Sequence, residues 1–227
     1  MATHKSVTRQ HVLRAALKRF ARGGYAATSV QQIVGDAGVS KPALYYYFAD
    51  KAGLYQALVD QAHDERYQFM QEAARRGRTV TEKLVKVVSA VFDFSARNRE
   101  LMRLAFATAF AAPGEMPHQG KCREKGKRNF EFVRALIEAG QAAGELDRRF
   151  SSEELAMGLH GPVITYVIAG VFLAGCKLNH RTAERMVKLF LHGASAGKPP
   201  VVRARSTKRG QEKMISFPSQ PVIETNP

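Results

Sequence analysis

Tryptophan is absent from the 227 residues, and only two cysteines are present. Cys122 and Cys176 lie far apart and outside any CxxC context, which argues against a disulfide framework and a thiolate zinc site. The seven histidines, at 4, 11, 63, 118, 160, 180 and 192, form no ligand-spaced cluster. HExxH, GxSxG and a phosphate-binding glycine loop are all missing, so the chain reads as a non-enzyme with no metal and no cofactor. The first ten residues, MATHKSVTRQ, carry no apolar core of a secretory leader, and a reducing cytoplasm fits the cysteine usage. The longest apolar run, residues 162–176, is shorter than a bilayer span and holds Pro, Thr and two glycines. It reads as a buried helix, with no membrane partner. Acidic residues are also scarce. Asp and Glu number 20 against 35 Lys and Arg, a formal charge of +15, which favours an anionic partner.

What is present is organised around residues 28–51, TSVQQIVGDAGVSKPALYYYFADK. The pattern predicts a helix, a tight turn, a second short helix and the start of a third. Thr28 is the expected cap of the first helix, with Gln31 completing a capping box. Val30, Ile33 and Val34 give it an inner face, and Gly38 ends it. Ser40 caps the next helix, with Pro42 in its first turn. Leu44 and Phe48, four apart, hold that helix to the core, which leaves Tyr45 and Tyr46 outside near Lys41 and Lys51. Part-buried packing is one reading of these tyrosines. The other is a helix for DNA, its N-terminal turn in the major groove and its hydroxyls and lysines on phosphates. Residues 1–51 carry eight Lys and Arg against Asp36 and Asp50, a net +6.

The segment GGYAATSVQQIVGDAGVSKPALYYYFADKAGLYQAL resembles the N-terminal signature of the TetR family of bacterial one-component repressors, over residues 8–58. The resemblance rests on the glycine–tyrosine turn, the threonine cap, the mid-helix isoleucine, Gly-Val-Ser, Leu-Tyr, Phe, and a lysine three residues after that Phe. Gly35, Gly53 and Pro42 depart from the family's usual choices. The resemblance implies an all-α fold of about nine helices, with a three-helix helix-turn-helix head over residues 1–50 and an effector-binding and dimerisation body over 51–196. It implies a homodimeric repressor on a palindromic operator of double-stranded DNA, released by a small, largely apolar effector. DNA contacts then fall on Thr28, Ser29, Val39, Ser40, Lys41, Tyr45, Tyr46 and Lys51, mostly through phosphate. Base edges fall to Lys41, Pro42 and Ala43. An effector-independent architectural DNA-binding protein is the alternative.

Beyond residue 58 the reading rests on periodicity. A ragged basic arm is expected over residues 1–7, and helices over 8–22, 51–76, 80–98, 99–112, 118–143, 152–176 and 180–195. Asp50 and Ser151 are expected caps, Thr79 with Glu82 an expected capping box, and Pro162 an expected kink. An apolar effector pocket is expected from Tyr67, Met70, Phe94, Met102, Phe106, Phe130, His160 and Tyr166, with Thr165 and Asp93 as further polar handles. The helices near 163–175 and 181–195 are apolar in nearly every direction, which calls for burial on two sides and points to a homodimer interface. Residues 197–227 hold five prolines, a net +4 and no helical period, and read as a disordered tail.

Overall fold

Each segment with apolar residues at helical spacing is a helix, and no strand occurs among the described residues. The structure, a computed structural model, describes residues 2–173 and 175–194, with side chains for 7–173 and 175–192. The expected tail lies outside them. In chain order the elements are α1 (Ala2–Ala27), α2 (Val30–Ala37), α3 (Lys41–Tyr47), α4 (Lys51–Arg75), α5 (Val80–Arg97), α6 (Arg99–Phe110), α7 (Gln119–Ala142), α8 (Ser152–Phe172) and α9 (His180–Ala194). The all-α expectation holds.

Local chemistry punctuates the helices. α1 begins at Ala2 rather than after a ragged arm, because no Gly or Pro interrupts the chain before Gly23. Gly24, at φ 77° and ψ 172°, breaks its last turn. Thr28 does not cap α2. It is buried, and its hydroxyl donates 2.7 Å to the Gly24 carbonyl that the break leaves open. The capping box belongs to Ser29, whose Oγ accepts from the Gln32 N–H while Gln32 Oε1 accepts from the Ser29 N–H. Gly38 closes α2 in the left-handed region at φ 63°. The Val39 N–H reaches back 3.1 Å to the Val34 carbonyl.

Ser40, Asp50 and Ser151 cap their helices as expected. Thr79 caps α5, but the Glu82 carboxylate accepts from the Arg78 N–H instead of closing the box. α8 runs as one element through Pro162. The proline and Gly158 are both on the exposed side, so the carbonyl it cannot serve lies outward. α8 begins at Ser152, as expected, and its 21 residues match a bilayer span by length and composition, whereas the apolar run 162–176 alone is too short. A core helix passes the same test, and Leu155, Ala156, Leu159, Val163, Val167 and Val171 are buried against protein.

α5 packs against α4, α7, α8 and α9, and α1 against α2, α4 and α6. Where α1 meets α4, Phe20, Tyr25 and Tyr55 form a cluster with centroids 5.0–5.8 Å apart, Tyr55 meeting the other two rings edge-on. The Tyr55 hydroxyl continues to Thr108 Oγ1 of α6 at 2.9 Å. The glycines of α2 yield a prediction of opposite signs. Gly35 is exposed within the helix, and a Cβ there meets nothing within 4 Å, so Gly35→Ala raises stability by about 1 kcal/mol. Gly38 has the same open space but a positive φ, so Gly38→Ala lowers stability by about 1 kcal/mol. Urea unfolding of the two variants checks both signs.

Candidate nucleic-acid interface and body cavity

α1, α2 and α3 hold an exposed helix end in place. The Arg19 guanidinium pairs with both oxygens of Asp36 at 2.5 and 2.6 Å, clamping α1 to α2 and holding the Asp36 carboxyl below its usual range. α3 is anchored from beneath by Leu44 and Phe48, with the Arg9 guanidinium 5.3 Å from the Phe48 ring. Its outer side presents Lys41, Pro42, Tyr45 and Tyr46, with Ser29 and Ser40 exposed beside them. Tyr46 is 67% exposed and Tyr45 48%. Ala43 is half-buried, and Ser40 Oγ accepts from its N–H at 3.3 Å. Tyrosine hydroxyls, a lysine and a helix N-terminus form a surface suited to phosphate oxygens.

Three of the residues expected to meet DNA also make contacts within the fold. Thr28 is buried with its hydroxyl committed to Gly24. Val39 is half-buried against the core. The Lys51 ammonium donates to the carbonyls of Tyr25 and Thr28, each at 3.0 Å, and lies 4.3 Å from the Tyr25 ring centre.

Within the body, α4, α5, α7 and α8 enclose a narrow cavity of about 40 Å³. Of the expected pocket residues only Met70 and His160 line it. Tyr67 packs on Phe132 and beneath Arg128, Phe94 on Phe69, and Phe106 between Phe110 and Phe172. Met102 is buried core, Phe130 backs the His160 ring at 5.6 Å, and Tyr166 is exposed on α8. Asp93 is on the surface and Thr165 donates to the Gly161 carbonyl, so neither serves the cavity. The lining is aliphatic, from Leu84, Val88, Val133, Leu159 and Ile164 among others. Its polar end consists of Arg66, Asn129 and His160.

Arg66 and Asn129 were not anticipated. The available signal was spacing. Tyr55, Val59, Ala62, His63 and Met70 mark the buried stripe of α4, and Arg66 falls on the same stripe. Burial lowers the pKa of Arg66 to about 10, with Arg128 adding repulsion. Beside it, buried His63 is lowered to about 4, first by burial and then by Arg66 and Lys125.

Comparison with known proteins follows the same division. Residues 12–58 match the family model described as bacterial regulatory proteins, tetR family. The uncharacterized HTH-type transcriptional regulator YdgC of Bacillus subtilis (strain 168) is 24% identical over 190 residues, 82% of this chain and 92% of that protein. The HTH-type transcriptional activator FasR of Mycolicibacterium smegmatis is 32% identical over 113 residues, 50% of this chain and 52% of that protein. Among solved structures, the fatty acid degradation regulator FadR from Bacillus halodurans superimposes with a TM-score of 0.70 at 20% identity, covering 82% of this chain and 95% of that one. At that identity the likeness is one of fold.

The depressed pKa of His63 gives a pH dependence. In the unfolded chain a histidine takes up its proton near pH 6.5, whereas folded His63 resists protonation until about pH 4. Stability from this group is therefore complete above pH 6.5. It falls as the pH drops toward 4, by roughly 3 kcal/mol in all. His63→Gln flattens the stability profile over that window, which denaturant unfolding at graded pH measures.

Proposed function

We propose that this chain, which belongs to the TetR family of bacterial regulatory proteins, is a cytoplasmic homodimeric repressor that leaves its palindromic operator when a small effector enters the body. That it is a DNA-binding transcriptional regulator and not an enzyme follows from the family and from the names of its relatives. The observation that carries the reading is the exposed N-terminal turn of α3, with Lys41, Pro42, Tyr45 and Tyr46 outward on a segment, residues 1–51, of net +6.

In this reading residues 1–50 are the head and 51–196 the body, with 197–227 a basic tail. Tyr45, Tyr46, Ser29 and Ser40 contact phosphate, while Lys41, Pro42 and Ala43 meet base edges. Thr28, Val39 and Lys51 are positioning residues, since their polar atoms or side chains are spent within the fold. Two heads separated by about one helical turn, roughly 34–36 Å, read the two half-sites.

Fluorescence anisotropy with the chain's own upstream region against random duplex tests the reading. A preference of about a thousandfold is expected. Equal affinity for both duplexes would favour an architectural protein. Tyr46→Phe weakens binding to all duplexes alike, and Lys41→Ala changes which duplex is preferred. Lys51→Ala lowers stability and affinity but leaves the salt slope within about 0.9 of wild type, the step expected for one lost phosphate contact. A full-step loss would place its ammonium on DNA.

The homodimer rests on α8 and α9. No charged residue occurs between Glu154 and Lys177. The outward side of α8 carries Gly158, Gly161, Pro162, Thr165, Tyr166 and Phe172, and Leu189 of α9 is 75% exposed. A second copy covers this face at least cost in exposed apolar area. Leu189→Arg is expected to yield monomers in sedimentation velocity and to remove tight operator binding. An intact dimer would move the interface elsewhere.

A further inference from the structure

Arg66 is a half-buried cation at the polar end of the cavity, without an anion. No carboxylate pairs with it among the described residues. Its partners are neutral. Its Nη2 lies 3.4 Å from His63 Nδ1, and the Asn129 amide oxygen, turned toward the guanidinium, accepts at 3.0 and 3.3 Å. The neighbouring acids are already committed. Asp60 and Asp64 are held by Lys125 at 2.9 and 2.6 Å, and Asp64 also by Arg128 at 2.8 Å. Two cations cancel two anions there, so the polar end of the cavity keeps the single positive charge of Arg66. A guanidinium drawn partly out of water with no anion beside it is costly, and its planar fork matches a carboxylate.

The rest of the wall defines the other half of a ligand. Met70, Leu84, Val88, Val133, Leu159 and Ile164 are aliphatic, and no Phe, Tyr or Trp lines the cavity. We propose that the cavity takes an aliphatic monocarboxylate, its head on Arg66 and Asn129 and its chain among the α5, α7 and α8 side chains. This deepens the effector reading above and rests on it. A single positive charge is balanced by a monoanion, whereas a phosphate monoester would leave a surplus negative charge in an enclosed site. The cavity as it stands is far smaller than the few hundred Å³ that enclose a whole ligand, so entry of the chain pushes α4 away from α5 and α8. α4 is the helix that carries Lys51, and a carboxylate drawing on Arg66 acts on it directly.

Isothermal titration of the full chain with decanoate, 1-decanol and decyl phosphate, each below its micelle concentration, tests the assignment. Decanoate is expected to bind at least tenfold tighter than either analogue of equal chain length. Arg66→Gln is expected to cost decanoate at least tenfold and to erase its advantage over 1-decanol. Ile164→Phe, which fills the cavity without touching Arg66, weakens all three. Failure of decanoate to bind, equal affinity for decanoate and 1-decanol, or an unchanged decanoate affinity in Arg66→Gln would each overturn the proposal. The wild-type comparison decides alone where Arg66→Gln does not fold. Operator binding is then measured with decanoate present. Arg66-dependent decanoate binding without loss of operator affinity would uphold the ligand chemistry and overturn the effector role.

Discussion

Lys51 sits in the first turn of α4 and gives its ammonium to two carbonyls, of Tyr25 and Thr28, across the ring of Tyr25. Those carbonyls belong to the chain reversal that follows the break at Gly24, where helical hydrogen bonding lapses. Hydrogen bonds from a charged donor contribute about 1.5–3 kcal/mol each when sheltered, and less where water competes. The consequence is geometric as well as energetic. The start of α2 is tied to the start of α4, and α3 follows α2 through the Gly38 turn. Much of what α3 presents to the outside is thus referred to the axis of α4. Asp50, capping α4 at the same point with a 2.6 Å bond to the Gly53 N–H, fixes where that axis begins.

The same helix carries the opposite kind of constraint fifteen residues on. Arg66 occupies a stripe otherwise given to apolar or uncharged side chains, and its charge is left to neutral partners. A fold under selection for stability alone would place a leucine or methionine there. Under the proposed mechanism the deficit is repaired by a ligand, and the repair is available only when the cavity opens. A ligand shifts an equilibrium by its differential affinity for the two states. A thousandfold loss of operator affinity requires about 4 kcal/mol of such difference. A half-buried guanidinium gaining a carboxylate, with aliphatic contacts along one chain, is of that order.

Much of the helical order was legible because capping residues and glycines act locally. Ser40, Asp50, Ser151 and Gly38 sit where their chemistry places them. Thr28 misled because two hydroxyl residues are adjacent, and only the Gly24 break decides which turns inward. The exposed pair Tyr45 and Tyr46 followed from helical angles alone. The pocket did not. Its walls come from four helices whose relative rotation no single-helix periodicity encodes, and the large aromatics expected there are spent as core and surface packing. Arg66 was the readable clue, a charge at an apolar position with His63 one turn before it, yet Asn129 and Cys122 of α7 come to that end of α4 only through tertiary packing.

The outer face of α8 poses a choice between lipid and protein, and the neighbouring helix favours the protein partner proposed above. By composition α8 alone suits a bilayer. Yet the groove beside it is shared between Pro162 and Tyr166 of α8 and Arg185, Lys188 and Leu189 of α9. Lys188 is paired with Glu184 at 2.8 Å, and both stand on the exposed side of a helix only 15 residues long. Hydrocarbon tolerates such charges poorly, at a cost of about 2.5 kcal/mol or more for each near mid-bilayer. A protein partner tolerates them at its rim, where water reaches. A groove of Pro162, Tyr166 and Leu189 bordered by Arg185 and Lys188 has the apolar centre and polar border that an interface between folded proteins needs. In the proposed dimer, small residues at Gly158 and Gly161 would let a partner helix approach closely.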